Sequence, residues 1–264
     1  MRTYGQTAAG RNLDGREIIF HCRVSRQLDR KPLKHPLLRA GNDPEIWRKM
    51  QQSMSDQLPR EPLKNASPLP ISGIILAGGG STRMGFDKAM LDYGNGPIVR
   101  ALIGQLTPWC AEVLVVSSRH AESQFGEARI VPDEREGIGP LMGILSGLEA
   151  SSSDCCFIIG CDIPDVNIEA LLLLYDAVQG ADIAALSVAE GCMEPLYAVY
   201  RRAVRMEARK LLDAGERKVQ ALLQSCNTAT VTMQDSGWFT NVNTPRDFQR
   251  YMEIKTYYSE RKTS

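Results

Sequence analysis

From residue 71 onward, apolar and polar positions fall into short alternating blocks. Seven runs (73–76, 113–117, 129–131, 155–160, 183–187, 195–200 and 228–233) are short, apolar and bounded by turn residues, the pattern of strands buried on both faces. The intervening segments near 97–106, 141–149, 168–178, 203–214, 218–224 and 246–252 predict helices, and Pro97, Pro140 and Pro245 each suit a first helical turn. Strand and helix in alternation predict an α/β fold with a mainly parallel central sheet and helices on both faces. In such sheets ligands sit beyond the carboxyl ends of the strands.

The first 70 residues carry no sustained period. One short helix is expected within 43–57, with Asp43 as its cap, and much of the rest is expected to be poorly ordered. Half of the 14 prolines lie here, and the charge shifts with them: 13 Lys/Arg against 7 Asp/Glu, then 18 against 24 in the remainder. The predicted organisation is a basic extension over 1–70, a catalytic domain over 71–253 and a polar tail over 254–264. The extension has no clustered basic face, so it reads as a solvated tail and not as a nucleic-acid or membrane anchor. Met54 opens a Met-Ser-Asp-Gln-Leu-Pro stretch that also reads as a start of the chain. No apolar run approaches the ~18–20 residues of a membrane span, and no secretory signal is visible. The seven cysteines form no C-x-x-C pair, and Cys155, Cys156 and Cys161 read as buried free thiols on one apolar strand. A reducing cytosol fits this usage.

The chemistry concentrates where the first apolar run breaks into Gly78-Gly79-Gly80, followed within ten residues by Arg83 and Lys88. Glycines let backbone N–H groups approach a phosphate or base closely, and successive N–H groups form an anion-binding concavity. Arg83 and Lys88 add positive charge for a triphosphate. The P-loop pattern fails, because Phe86 and Asp87 stand where Lys and Ser/Thr are needed. A partial match to the dinucleotide fingerprint predicts neither cation.

Together with later segments, this loop resembles the molybdenum cofactor guanylyltransferases of the nucleotidyltransferase superfamily. The resemblance covers about residues 71–253. It is carried by Leu76-Ala77-Gly78-Gly79-Gly80-Ser81-Thr82-Arg83-Met84-Gly85-Phe86-Asp87-Lys88, Gly139-Pro140-Leu141-Met142-Gly143, Cys161-Asp162-Ile163-Pro164, Glu194-Pro195-Leu196 and Asn241-Val242-Asn243-Thr244-Pro245. It implies a three-layer, Rossmann-like nucleotidyltransferase fold that uses GTP and molybdopterin (the molybdenum cofactor) as substrates, with Mg²⁺ as cofactor. Transient contact with cofactor-synthesis or acceptor proteins is also implied. Leu76, Ala77, Gly78 and Gly79 then meet the nucleotide through their backbone, and Arg83 and Lys88 neutralise the triphosphate. The Gly78 form of the loop resembles the guanine-specific members. A cytidylyltransferase of the same cofactor, a sugar-phosphate nucleotidyltransferase and a non-catalytic binding relative remain as alternatives.

Asp162 follows a buried strand, where a carboxylate is costly unless paired or metal-bound. Mg²⁺ takes one or two carboxylates plus phosphate oxygens, so Asp162 is the expected metal ligand; its other reading is a helix cap, a role Asp165 or Asn167 would also suit. Asp133 is either an exposed loop acid or an acceptor for the adjacent N1–H and 2-amino donors of guanine. The resemblance places Asp133 and Gly139 beside the nucleotide. Asn241 and Asn243 flank Val242 so that both face one way. An Asx-turn would suit Asn243 as well, and the resemblance draws both asparagines to the active site. Lys210 and the 215–218 turn are either an exposed helix end or a phosphate contact. Two departures stand out: Ser117-Ser118-Arg119-His120 replaces an asparagine-rich strand end, and Glu194 precedes Pro195 where other members carry His or Gln.

Overall fold

The computed structural model describes residues 7–11, 17–21, 68–77, 88–92, 96–118, 125, 126, 128–135, 137–189, 192–233, 239–244 and 246–253, with backbone alone at 7–11, 17–21, 88 and 189. The chain divides into two units, Met1–Glu61 and Pro62–Ser264. In the first, β1 (Thr7–Arg11) and β2 (Glu17–His21) pair antiparallel, in a stretch to which the hydrophobic pattern assigns no strand. The helix expected within 43–57 and the 254–264 tail lie outside the described residues.

The second unit is built on a sheet of seven strands: β3 (Leu69–Leu76), β4 (Cys110–Val116), β5 (Arg129–Val131), β6 (Cys155–Gly160), β7 (Ile183–Ala189), β8 (Cys192–Arg201) and β9 (Thr228–Thr232). Their order across the sheet is β5-β4-β3-β6-β8-β7-β9. Every pairing is parallel except those of β8, which runs against both β6 and β7. The α/β class and the mainly parallel sheet are as the alternating pattern predicts. β3 begins earlier than its apolar run, at Leu69, whose N–H donates to the Trp109 carbonyl.

Among the described residues, six helices cover the sheet: α1 (Ile98–Leu106), α2 (Pro140–Ala150), α3 (Ile168–Ala177), α4 (Arg205–Asp213), α5 (Val219–Ser225) and α6 (residues 246–253). Alternation along the strands sends side chains to opposite faces and so makes two cores. Ile71, Ile75, Val115, Phe157 and Ile159 pack with α1, α3 and α6. Ile74, Leu76, Leu114, Val116 and Ile158 pack with α2, α4 and α5. Pro140 occupies the first turn of α2, whereas Pro97 sits one position ahead of α1 as its cap. Cys155 and Cys156 are buried thiols and Cys161 is half-buried. Among the described residues, no helix is long and apolar enough to cross a membrane.

Register sets the functional edge. Leu76 lies level with Val116 and Gly160, and Val116 with Val131, so four neighbouring parallel strands end together. Backbone bonds carry the ladder one residue further, from Ala77 N–H to the Val116 carbonyl, Ser117 N–H to Val131 and Cys161 N–H to Leu76.

Candidate active site

Two groups of predicted residues gather at this edge. The first surrounds Asp133, in the loop after β5. Ser118, just beyond β4, accepts from the Asp133 N–H at 3.0 Å and fixes that loop. The carboxylate faces α2, whose Gly143 leaves space there. A Cβ at Gly143 would stand 3.5 Å from Asp133 Oδ1 and 3.4 Å from the Leu76 side chain. Leu76, Asp133 and the Gly139–Gly143 segment therefore meet. Gly139 caps α2 with φ +107°, in the left-handed region that glycine tolerates. Ion pairs brace the loop from outside: Arg209 on α4 binds Glu134 and Glu149, and Arg135 binds Asp213.

The second group surrounds Asp162, two residues past β6. Its carboxylate folds back over the strand end, where a Cβ at Gly160 would stand only 2.5 Å from Oδ1. Its backbone carbonyl accepts from the Val242 N–H at 2.7 Å. This bond lays the 241–243 segment beside Asp162. Val242 is buried while Asn241 and Asn243 are exposed, as their alternating placement predicts. The turn into α6 is closed by other residues: Asp247 Oδ2 accepts from the N–H groups of Asn243 and Thr244, and Thr244 Oγ1 accepts from the Asp247 N–H.

The capping reading of Asp162 falls away, because Asn167 caps α3 by accepting from the Ala170 N–H and Asp165 accepts from the Tyr251 hydroxyl. The intervening loop is clamped by Gln105 of α1, which donates to the Pro164 carbonyl and accepts from the Val166 N–H.

Glu194 joins this group, and sequence reasoning gave it no role. β8 pairs Tyr197 with Ile159, and running antiparallel it projects Glu194 past the end of β6 toward Asp162. Its Oε1 accepts from the Leu196 N–H at 3.0 Å and its Oε2 from Asn241 Nδ2 at 3.4 Å. Burial pushes the Glu194 carboxyl up, the Leu196 bond opposes that, and the Asp162 charge pushes it up further. The available signal was the departure at this position from the resembled motif. Ser118 was likewise missed, although Ser117-Ser118 was noted as a departure.

These groups fit Mg²⁺. The donors near Asp162 are oxygens, and the Asp162 charge raises the cost of ionising Glu194, a cost that a cation relieves. Among the described residues, no group of three or more His, Cys, Asp and Glu is arranged to hold a metal. Gly78, Gly79, Arg83 and Asp87 lie outside the described residues, and of Lys88 only the backbone is described, as the start of a 3₁₀ turn over Lys88–Met90. Lys210 pairs with Glu207 on the exposed side of α4.

Residues 73–230 match the model of the MobA-like NTP transferase domain. The chain is 31% identical over 186 residues to a Bacillus cereus (strain G9842) protein named "probable molybdenum cofactor guanylyltransferase", covering 67% of this chain and 93% of the relative. A Peptoclostridium acidaminophilum protein of the same name is 31% identical over 196 residues, covering 69% and 89%. The fold is similar to that of molybdopterin-guanine dinucleotide biosynthesis protein A from Archaeoglobus fulgidus, with TM-score 0.61, 24% identity, and 70% and 99% of the two chains covered. It is also similar to 2-C-methyl-D-erythritol 4-phosphate cytidylyltransferase from Thermus thermophilus, with TM-score 0.53 at 18% identity, covering 69% and 98%.

Proposed function

Because the chain belongs to the family of the MobA-like NTP transferase domain, we propose that it transfers GMP from GTP to the terminal phosphate of molybdopterin. It is a nucleotidyltransferase. A phosphate oxygen of molybdopterin attacks the α-phosphorus of GTP, the bond from that phosphorus to the bridging oxygen breaks, and pyrophosphate leaves. The product is the guanine dinucleotide cofactor.

The observation that carries this reading is the pairing of Val242 with Asp162, which puts Asn241 and Asn243 next to a strand-end carboxylate. In this reading Asp162 holds Mg²⁺, with the Asn241 and Asn243 amides on the same side. When bound, the ion neutralises phosphate charge. Arg83 and Lys88 stabilise the triphosphate and the departing pyrophosphate. Leu76, Ala77, Gly78 and Gly79 line the nucleotide with backbone, and Asp133 with Gly139 faces the guanine edge. Such transfer needs positioning and charge stabilisation, with no covalent enzyme intermediate. In this reading the reaction takes place in the cytosol, a compartment where free thiols persist.

The test is an assay with purified protein, molybdopterin, Mg²⁺ and either GTP or CTP, following pyrophosphate and dinucleotide. GTP-dependent product is expected. CTP-dependent product would overturn the base assignment, and no product with either would overturn the reaction. Asp162→Ala is expected to abolish product while the melting temperature stays near that of the parent; undiminished activity would remove Asp162 from the metal site.

A further inference from the structure

We propose that Glu194 is a positioning residue that sets which end of the Asn241 amide faces the substrate. An ionised carboxylate only accepts hydrogen bonds. Both Glu194 oxygens are engaged: Oε1 accepts from the Leu196 N–H, which ties the side chain to its own strand, and Oε2 accepts from Asn241 Nδ2. The Asn241 amide is planar, with its donor and acceptor at opposite ends. With the NH₂ turned to Glu194, the oxygen is the end left to a ligand. Asn241 is exposed and adjoins Val242, whose backbone is tied to Asp162, so that oxygen belongs to the same edge as the strand-end carboxylate. The group it meets is therefore a hydrogen-bond donor or a cation. Two sources supply one here: the N–H groups of a pterin, or a hydrated magnesium ion. This inference rests on the transfer reaction proposed above.

The arrangement makes a specific prediction about exchange. In Glu194→Gln, the single remaining oxygen keeps the Leu196 N–H, and the new NH₂ faces Asn241. Two donors cannot pair, so the Asn241 amide turns and presents its own NH₂ to the ligand. Adding Asn241→Asp restores the pattern. The substituted amide at position 194 then donates to one oxygen of the new carboxylate at position 241, the other oxygen accepts, and the net charge of the pair is unchanged. A direct metal-ligand role for Glu194 would not be rescued by this exchange, because the carboxylate has moved to another position.

The experiment compares wild type, E194Q, N241D and E194Q/N241D. It measures molybdopterin affinity by equilibrium titration without GTP, in Mg²⁺ and in EDTA, alongside KM for GTP and melting temperature. E194Q is expected to weaken molybdopterin binding by roughly 10- to 100-fold. Its KM for GTP should change little, and the exchanged pair should recover most of the loss. A loss that persists in EDTA identifies the pterin as the donor; one confined to Mg²⁺ identifies the hydrated ion. Wild-type affinity in E194Q, or an exchanged pair no better than E194Q, overturns the proposal. A readout independent of both substrates is the Asn241 side-chain amide signal in the free protein, followed with ¹⁵N-asparagine labelling. It is expected to shift in E194Q, and an unshifted signal overturns the pairing even if a variant melts early. If wild type forms no dinucleotide while this signal still shifts in E194Q, the reaction is wrong and the Glu194–Asn241 pair stands.

Discussion

Gly160 shows how a single missing Cβ shapes the site. A methyl group there would stand 2.5 Å from Asp162 Oδ1, closer than any side chain tolerates, yet the obstructing atom is the end of a movable carboxylate. Gly160→Ala should therefore keep its stability, or gain up to about 1 kcal/mol from reduced chain entropy. Displacing the carboxylate by about 1 Å should lower transfer roughly 100-fold. Melting curves and steady-state rates on the same preparation check this; unchanged turnover would mean that the carboxylate position does not matter. At the opposite edge, Glu112 governs stability and not chemistry. Burial raises its carboxyl, but the hydroxyl of Ser72, the N–H and hydroxyl of Ser152 and the charge of Arg129 together bring it below the ordinary 4.5. A depressed folded value stabilises fully above the ordinary value and is lost as pH falls through the folded one. The melting temperature of wild type should thus exceed that of Glu112→Gln by a constant margin from about pH 7 down to about pH 5, and the margin should shrink toward pH 3. Parallel curves throughout would dismiss the network. Of these residues, Asp162, Asn241 and Asn243 were legible from a strand end and an alternating pair. Gly160 and Glu194 were not. One acts through a neighbour's rotamer, and the other reaches Asp162 only through the antiparallel register of β8, 32 positions along the chain.

The elements were more legible than the contacts between them. Runs of three to six residues between turn signals locate all seven strands of the sheet, and the central ones are apolar because a strand buried on both faces has no other composition open to it. The antiparallel direction of β8 has no such signature, since direction depends on the connection and not on the run. Helix packing on the sheet was equally hidden. Gly143 and Gly147 stand four apart on one face of α2, yet they differ in what a methyl group would meet. At Gly147 it would lie 2.6 Å from Ile74 Cγ2 and 3.3 Å from Val116 Cγ2, in the core under β3 and β4. At Gly143 its nearest neighbours are at 3.4 and 3.5 Å, ordinary contact. Gly147→Ala should cost about 1–2 kcal/mol net of the helix gain, while Gly143→Ala should be neutral or stabilise by up to about 1 kcal/mol. Denaturant unfolding of the two variants tests the contrast, and equal effects would mean that α2 shifts freely on the sheet. The braces from Arg209 to Glu134 and Glu149 are surface ion pairs and should add little to these numbers.

At the scale of the whole molecule, the question is how much of the chain the chemistry needs. The family match begins at residue 73, and the Bacillus cereus relative spends 93% of its length on 67% of this chain. The sheet strand nearest the amino end starts at Leu69, and the two compact units part between Glu61 and Pro62. Among the described residues, both cores are built from Leu69 onward. Every described residue assigned to the site lies in the second unit. A chain beginning at Met54 keeps all of these elements and still carries several residues ahead of β3. It should melt within about 2–4 °C of the full chain, the shift that 1 kcal/mol produces at this size, and should form dinucleotide at the same rate. Loss of stability on truncation would mean that the sheet draws support from the first unit. Loss of rate at full stability would point instead to a part for the first unit in substrate binding, and its charge makes the two separable. With 13 Lys/Arg against 7 Asp/Glu in the first 70 residues, a contribution to binding polyphosphate substrates would fade as salt rises. Equal rates for the two chains at both low and high salt would mean that the transfer needs nothing ahead of Met54.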